Sequence, residues 1–149
     1  MSMTIAGVSA AVQEILESVD APVAFVDIQA APESSDQHFN GYPSATHFYV
    51  NTENNYATVT QNRRVIQYNV YVYMVSNAKT EAQKWASGYA FVDSVIQKFD
   101  ESIDLNGACD IMRPAPGRMS KESLTNGEGL VAEIILYCEA DVTFRTPYN

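Results

Sequence analysis

The sequence predicts an α+β fold in which a mainly antiparallel β-sheet is packed on one face by two α-helices, in the order α-β-β-β-α-β-β. Two segments with apolar residues at every third or fourth position predict the helices. Two long segments in which apolar and more polar residues alternate predict strands. Because most strands follow one another without an intervening helix, neighbouring strands should run antiparallel. With 149 residues, the chain is expected to form a single domain over residues 1–149.

The first helix is predicted from an apolar stripe that runs from Val8 to Val19. It should end before Pro22, because a proline disfavours the helical conformation in the residue that precedes it. Residues 23–28 form a short apolar run rich in β-branched side chains, which predicts the first strand. Residues 30–41 collect Pro, Ser, Asp, Asn and Gly without periodicity, and this composition predicts a long loop.

Two further strands are predicted before the second helix. Residues 42–51 predict the second strand, and the polar residues 52–62 are expected to link it to the third. The third strand is the clearest in this half of the chain, because apolar residues alternate with more polar ones from Val65 to Met74. An alternation of this length indicates a sheet with one face on the core and a second face that is wetter.

The second helix carries the strongest helical pattern of the chain. Its apolar positions step by three and four residues, at Ala82, Trp85, Tyr89, Val92, Ile96 and Phe99. Either Asn77 or Thr80 should be the N-cap, and Thr80 with Gln83 has the spacing of a capping box. Lys98 lies near the predicted C-terminus, where the helix dipole favours a positive charge.

The last part of the chain predicts two strands around an irregular segment. Residues 108–113 predict a strand, residues 114–125 an irregular excursion, and residues 126–129 a turn. The last strand is long, and its even-numbered residues from Leu130 to Phe144 should share one face. The odd-numbered residues from Val131 to Thr143 should share the other face.

Three patterns that look like cofactor or metal motifs are better explained by ordinary structure. Residues 127–132 match G-x-G-x-x-A, but they lack the preceding strand and following helix that hold a pyrophosphate, so they predict a hairpin turn. Residues 100–111 suggest a calcium loop, but Leu105 and Ile111 occupy the positions where glycine and glutamate are needed. His38 and His47 have no partner at the spacing of zinc ligands.

No sequence pattern supports a catalytic role. The chain contains no G-x-S-x-G nucleophile motif. Cys138 should be a small buried hydrophobe on the apolar face of the last strand, and Trp85 a core residue. We therefore expect no enzymatic activity, no catalytic residue, no cofactor and no metal ion.

The charge balance disfavours binding to nucleic acids and to anionic membranes. Eighteen acidic and nine basic residues give a net charge of −9. Nucleic acids and anionic membranes bind protein surfaces that are rich in Lys and Arg. We find no secretory signal and no apolar run long enough to cross a bilayer. The two cysteines, Cys109 and Cys138, are too few for a disulfide framework, so we expect folding in a reducing cytoplasm.

Tyrosines are frequent, and several share a strand. Tyr68, Tyr71 and Tyr73 lie on the third strand, and Tyr137 lies on the last one. They could be half-buried sheet residues or members of a protein interface, where tyrosine is enriched. The outer face of the last strand mixes Ile135 and Tyr137 with acidic residues, and this mixture favours an oligomer contact.

Two neighbouring segments carry a resemblance to a known family. Residues 42–50 (YPSATHFYV) and residues 62–73 (NRRVIQYNVYVY) resemble the tail terminator proteins of long-tailed bacteriophages. The resemblance continues through the second helix, through Pro114 and through the turn at residues 126–130 into the last strand. It therefore covers most of the chain by pattern and order.

This resemblance implies a structural virion protein of the phage tail. Such proteins form a hexameric ring at the head-proximal end of the tail tube, stop tube polymerisation and provide the surface for head-tail joining. The implied partners are further copies of the chain, the tail tube protein and a neck or head-completion protein. Assembly would take place in the host cytoplasm, without a membrane. The DNA would later pass through the ring without specific binding, which agrees with an acidic chain.

The resemblance and the residue patterns together give three sets of candidate contact residues. The candidates for subunit contacts are Tyr71, Tyr73, Ile135 and Tyr137. The arginines that could pair with acidic groups on a partner, or could simply be solvated, are Arg63, Arg64, Arg113 and Arg118. The candidates for the lumen, if the last strand faces inward, are Glu133, Glu139 and Asp141. The loops expected to touch the tube or neck are residues 30–41, 52–62 and 114–125.

Other functions remain open from the sequence. A head-completion or stopper protein, or the tail tube subunit itself, would belong to the same machine, but a tube subunit should form filaments rather than a closed ring. A different class is a small-ligand-binding or enzymatic α+β domain with tyrosines around a pocket. Such a site should be concave, with a volume of roughly 300–1,000 Å³ and several convergent polar groups.

Overall fold

The structure, a computed structural model, describes residues 3–32, 39–56, 58, 61–124 and 127–143, and of Thr143 it describes the backbone alone. Its elements in chain order are α1 (Ile5–Glu17), β1 (Asp27–Gln29), β2 (Ser44–Tyr56), β3 (Gln61–Met74), α2 (Glu81–Asp100), β4 (Ile111–Leu124) and β5 (Gly127–Thr143). The predicted α+β class and the predicted element order are confirmed.

The five strands form one sheet in the order β1-β2-β3-β5-β4. Only the pairing of the short β1 with β2 is parallel, and the other three pairings are antiparallel. The long strands β3 and β5 lie at the centre and pair from Gln61 opposite Thr143 to Met74 opposite Leu130. Because both central strands run the full length of the sheet, they determine which residues share each of its faces.

Both helices pack on one face of the sheet and form the core there. The even-numbered residues of β3 and β5 are buried, from Ile66 to Met74 and from Leu130 to Ala140. They meet apolar side chains of the helices, among them Val12, Leu16, Val95 and Phe99. The predicted alternation of both strands is therefore confirmed, and it leaves the odd-numbered residues on the face without helices.

Both helices begin at a threonine N-cap, and only that of α2 was predicted. The Thr4 side chain accepts a hydrogen bond from the Gly7 amide at 2.9 Å and begins α1. Thr80, rather than Asn77, begins α2 by accepting from the Gln83 amide at 3.2 Å. Side-chain oxygens at these positions satisfy amide groups that have no partner within the helix. As predicted, α1 ends before Pro22.

The buried side of α2 is rotated relative to the predicted stripe. Tyr89 is 54% exposed, whereas Phe91 and Val95 are buried. Gly88 explains the rotation, because a Cβ atom there would lie within 2.9 Å of the Leu130 side chain. The helix therefore faces the sheet at a residue that has no apolar side chain to mark it. Trp85 is only partly buried, at the edge of the core.

The prediction for the first strand was wrong over most of its length. Residues 23–26 are not strand, and Val23 and Val26 are 48% and 53% exposed. Pairing begins only at Asp27, which lies opposite Ser44 of β2. A short apolar, β-branched segment has the same composition whether or not a neighbouring strand is present, so the sequence could not locate this boundary.

Two predicted loops are in fact strands. Within residues 52–62, β2 continues to Tyr56 and β3 starts at Gln61, and the two strands pair there. Residues 114–124 belong to β4, with an irregularity between Pro116 and Met119. Both regions are polar because they lie at an end or an edge of the sheet, where side chains face water. An edge strand also tolerates proline, since its outer amides have no partner.

The predicted turn before the last strand is shorter than expected. Residues 127–129 already belong to β5, with Gly127 opposite Leu124, so β4 and β5 form a hairpin and no helix follows the G-x-G-x-x-A pattern. The calcium-like segment forms successive turns after α2, in which Leu105 is completely buried. Predictions for residues 33–38, 57, 59, 60, 125, 126 and 144–149 fall outside the described residues.

Candidate functional site

The candidate site is the face of the sheet opposite the helices, which we call the open face. It consists of the odd-numbered residues of β3 and β5 with the neighbouring positions of β2 and β4. Most of its side chains are half-buried against one another, among them Phe48, Val65, Tyr71, Val131 and Ile135. It is therefore a mixed surface, less polar than a typical solvated face.

The middle of the open face is organised around Glu133. The Tyr71 hydroxyl donates a hydrogen bond to its carboxylate at 3.0 Å, and these two residues are opposite each other in the β3–β5 pairing. Gly117 of β4 lies directly against the same carboxylate, where any Cβ atom would collide with it. Phe48 packs on Tyr71 with ring centroids 5.4 Å apart. The polar end of Tyr71 is thus fixed within the chain.

Ile135 and Tyr137 continue this surface along β5. Ile135 is half-buried, and Tyr137 is 37% exposed. Together with Tyr71, these two predicted contact residues lie on one face of two adjacent strands, and Tyr71 lies diagonal to Ile135. The structure therefore brings three of the four predicted subunit-contact residues together.

Tyr73, the fourth predicted subunit-contact residue, is completely buried. Its ring centroid lies 4.9 Å from that of Phe39, and its hydroxyl is 3.3 Å from the Thr46 hydroxyl. The chain before β2 covers this end of the open face, so Tyr73 has no surface to offer a second subunit. Tyr71 and Tyr73 are two residues apart on β3 and belong to the same alternating pattern. The local sequence therefore does not predict which of them is exposed.

At the opposite end of the open face, two arginines and three acids form an ion-pair cluster. Arg63 Nη1 lies 3.2 Å from Asp141 and 3.6 Å from Asp110, and its Nε lies 4.0 Å from Glu139. Arg113 makes a close ion pair with Glu139, which is only 17% exposed. Two predicted partner contacts and two predicted lumen residues therefore engage one another within the chain.

The other two predicted arginines lie elsewhere. Arg64 faces the helix side, where its Nε donates to Asn54 Oδ1 at 3.2 Å and its Nη1 to the Met3 carbonyl at 3.4 Å. Arg118 is exposed at the irregularity of β4. The four arginines thus do not form one basic surface.

A cavity of about 290 Å³ lies between α2 and the ends of β3 and β5. Met74, Phe91 and Leu130 form part of its apolar lining, and no tyrosine belongs to its described lining. At its mouth, Lys121 Nζ lies 3.3 Å from the carboxylates of both Glu81 and Glu128. Hydrogen bonds to these two acids raise the pKa of Lys121. The charged groups at the mouth are therefore already paired with one another.

His47 belongs to a buried hydrogen-bond network that the sequence did not reveal. Its Nδ1 is 2.6 Å from the Tyr68 hydroxyl, its Nε2 is 2.6 Å from Gln13 Oε1, and the hydroxyls of Tyr68 and Ser9 are 3.0 Å apart. Burial lowers the pKa of His47 to about 4, so its ring is neutral at physiological pH. Its partners come from α1 and β3, and no local motif could identify them.

The two cysteines lie next to each other in the core. Cys109 and Cys138 are buried free thiols, which confirms the expectation for Cys138. A hydrogen bond with Cys109, together with burial, raises the pKa of Cys138 and keeps it a thiol. Within the described ranges, no three His, Cys, Asp or Glu side chains converge as they would around a metal ion. His38 lies outside those ranges.

Comparison with protein-family models and with curated proteins returned no match. Neither helix in the described part of the chain is both long and apolar enough to cross a membrane.

Proposed function

We propose that this chain is a structural protein of a long-tailed bacteriophage virion: a tail terminator that forms a hexameric ring on the tail tube, ends its polymerisation and provides the head-tail joining surface. The proposal starts from the resemblance of residues 42–50 and 62–73 to that family. It is supported by the α+β fold, in which one face of the sheet carries no helix.

The observation that carries the proposal is the ordered, partly apolar middle of the open face. The Tyr71 hydroxyl is already hydrogen-bonded to Glu133, so a partner that covers the ring does not have to satisfy this group. Ile135 and Tyr137 add apolar area beside it. Tyrosine side chains held in one rotamer lose little conformational entropy on binding, which suits them to protein interfaces. We therefore assign Tyr71, Ile135 and Tyr137 to subunit contacts.

The charges of the open face suit a surface that DNA passes without binding. In the ion-pair cluster, Arg63 and Arg113 face Asp110, Glu139 and Asp141, so two positive and three negative charges leave a net −1. The guanidinium groups are engaged by carboxylates and are poorly placed to neutralise phosphates. If the end of β5 faces the lumen of a ring, Glu139 and Asp141 line it, whereas Glu133, which is bonded to Tyr71, lies within the proposed subunit contact.

Mass measurement in solution, with and without purified tail tubes, tests the proposal. We expect a hexamer, or a smaller species that assembles only on tube ends and then blocks further growth. A concentration-independent monomer that ignores tubes would contradict the proposal. Growth into long filaments would instead identify the alternative, a tail tube subunit, and binding only to filled heads would identify a head-completion protein.

The cavity beside α2 favours a second candidate, a small-ligand-binding domain. Its volume of about 290 Å³ is near the lower end of ligand sites. Thermal unfolding in the presence of a library of small apolar compounds tests this candidate. A compound that raises the midpoint of the native chain, but not that of a Ser87→Leu variant with a larger side chain in the cavity lining, would support ligand binding. The ring proposal predicts no such compound.

A further inference from the structure

Cys109 and Cys138 come from different parts of the chain and meet in the core. Cys138 lies on β5 opposite Met112 of β4, on the face that the helices cover. Cys109 lies in the bend between α2 and β4, and a hydrogen bond of 2.9 Å from the Asp110 amide to the Glu139 carbonyl holds this bend against β5. The two free thiols are 1% and 0% exposed and are hydrogen-bonded to each other. Two thiols in contact are the starting point of a disulfide.

The two cysteines differ in the freedom of their backbone. Cys138 belongs to a strand that is paired on both sides, with β3 and with β4. Cys109 precedes the first paired residue of β4, Ile111, and its amide donates to the Asp104 carbonyl within the same bend at 3.1 Å. A disulfide requires sulfur atoms about 2.0 Å apart, so one side of the pair has to move. The bend at Cys109 can move by this amount while the ladder around Cys138 stays intact.

We propose that Cys109 and Cys138 form a disulfide within one chain when the protein meets a low-molecular-weight disulfide such as glutathione disulfide. The Cys109 thiolate attacks one sulfur of glutathione disulfide, which forms a mixed disulfide and releases one glutathione thiolate. The Cys138 thiol then loses its proton and attacks the Cys109 sulfur, which releases the second glutathione. Both protein thiols are oxidised, glutathione disulfide is reduced to two glutathione molecules, and the two protein protons end on the released thiolates.

Cys109 is the thiol that attacks first. The hydrogen bond with Cys138 lowers the pKa of Cys109, although burial and the carboxylates of Asp104 and Asp110 oppose this shift. The same hydrogen bond, together with burial, raises the pKa of Cys138. Because the thiolate is the reactive form, the two pKa values assign the first attack to Cys109. Opening of the bend alone exposes Cys109, whereas Cys138 lies beneath the helices.

The disulfide joins the two ends of a segment that contains β4 and the β4–β5 hairpin. β4 is an edge strand and pairs with β5 alone among the described strands. Covalent closure of a loop of roughly 30 residues restricts the unfolded chain and therefore stabilises the folded one. In a reducing compartment the pair stays as two thiols, and in oxidising surroundings it closes. This device lies in the core of one chain and does not rest on the proposed ring.

Equilibration of the native chain in buffers of glutathione and glutathione disulfide tests the inference. After an acid quench, free thiols are alkylated in denaturant, and the intact mass gives the fraction of monomers that have lost two hydrogen atoms and carry no alkyl group. The equilibrium constant for this product should be about a hundredfold larger in native buffer than in concentrated urea, because a disulfide that stabilises the fold is favoured by the fold to the same degree. The midpoint of thermal unfolding should be about 5–10 °C higher for the oxidised chain than for the reduced one.

Cys109→Ala and Cys138→Ala are the matched controls, because each keeps one of the two thiols and cannot close the loop. Neither variant should gain a higher midpoint after treatment with glutathione disulfide. Equal equilibrium constants in native buffer and in urea would overturn the inference, as would an oxidised chain that is no more stable than the reduced one. A mixed disulfide or a disulfide-linked dimer as the main product would also overturn it. The equilibrium constants and midpoints of the native chain decide the question even where a variant fails to fold.

Discussion

The Nδ1 atom of His47 lies 2.6 Å from the hydroxyl oxygen of Tyr68, and each residue is only 1% exposed. Gln13 determines which ring nitrogen carries the proton. Its amide nitrogen donates to Glu17 at 2.9 Å, so its oxygen points to His47 Nε2 and accepts from that N–H. Nδ1 then carries no proton, and the single hydroxyl proton of Tyr68 lies between two acceptors, Nδ1 and the Ser9 hydroxyl oxygen. A neutral imidazole thus joins α1 to the centre of the sheet.

This network predicts that the chain loses stability in mild acid. The pKa of His47 is about 4 in the folded chain, against 6.5 for a fully exposed histidine, so only the unfolded chain takes up a proton between these values. The free energy of unfolding should therefore fall as the pH drops from about 6.5 towards 4, by about 2 kcal/mol between pH 7 and pH 5. Urea unfolding of the native chain and of a His47→Gln variant at both pH values isolates this contribution. Identical pH dependence in the two proteins would rule out the buried neutral histidine.

A substitution in the middle of the open face should abolish assembly without unfolding the chain. Ile135→Lys adds a charge to a half-buried position that the proposed ring covers, whereas the isolated subunit can leave the ammonium group in water. We expect a folded protein, destabilised by about 1 kcal/mol or less, that no longer forms rings or caps tubes. Ile103→Lys is the matched control, because Ile103 is 60% exposed in the turns after α2. Mass measurement and tube-length distributions give the result. Normal rings with Ile135→Lys would exclude the open face as the subunit contact.

Two glycines of the β4–β5 hairpin should differ in their tolerance of alanine. A Cβ atom at Gly129 would collide with the backbone carbonyl of Met74, whereas one at Gly117 would meet the end of the Glu133 side chain. A backbone carbonyl in the central strand cannot move without breaking the ladder, but a carboxylate can rotate away. We expect Gly129→Ala to cost several kcal/mol and Gly117→Ala about 1 kcal/mol. When Gly117→Ala is introduced into a Glu133→Ala chain, its cost should largely disappear. Chemical unfolding measures both costs. Equal costs for the two single variants would contradict this assignment of the contacts.

The parts of the fold that the sequence predicted are those whose signal is local. The alternation in β3 and β5 is carried by consecutive residues, so it predicted the middle of each strand and the face that each strand buries, although both strands start earlier than predicted. The strand character of β4 after Arg113 was missed because an exposed edge needs no apolar alternation and can contain proline.

The candidate site was predicted less completely, since its details depend on contacts between distant segments. Tyr71 and Tyr73 have the same local environment in the sequence, yet Phe39 covers only one of them. His47 finds its partner Gln13 at a separation of 34 residues. Arg63 and Arg113 come together on Glu139 only because β3 and β4 lie on either side of β5.

Glu139, which contacts both Arg63 and Arg113, should add a small amount to the free energy of unfolding, and this amount should decrease with salt. Glu139→Gln removes the charge between Arg63 and Arg113 but keeps a side chain of the same shape, so packing is unchanged. The loss should be below about 1 kcal/mol, because Arg113 is 63% exposed and Arg63 keeps Asp110 and Asp141. It should shrink further at about 1 M NaCl, where the Debye length is about 3 Å. Asp141→Asn, at a side chain that is 79% exposed, is the control and should have a smaller effect. Urea unfolding of the three proteins at low and high salt measures the difference. A large loss that persists at high salt would mean that Glu139 acts through packing and hydrogen bonds instead of charge.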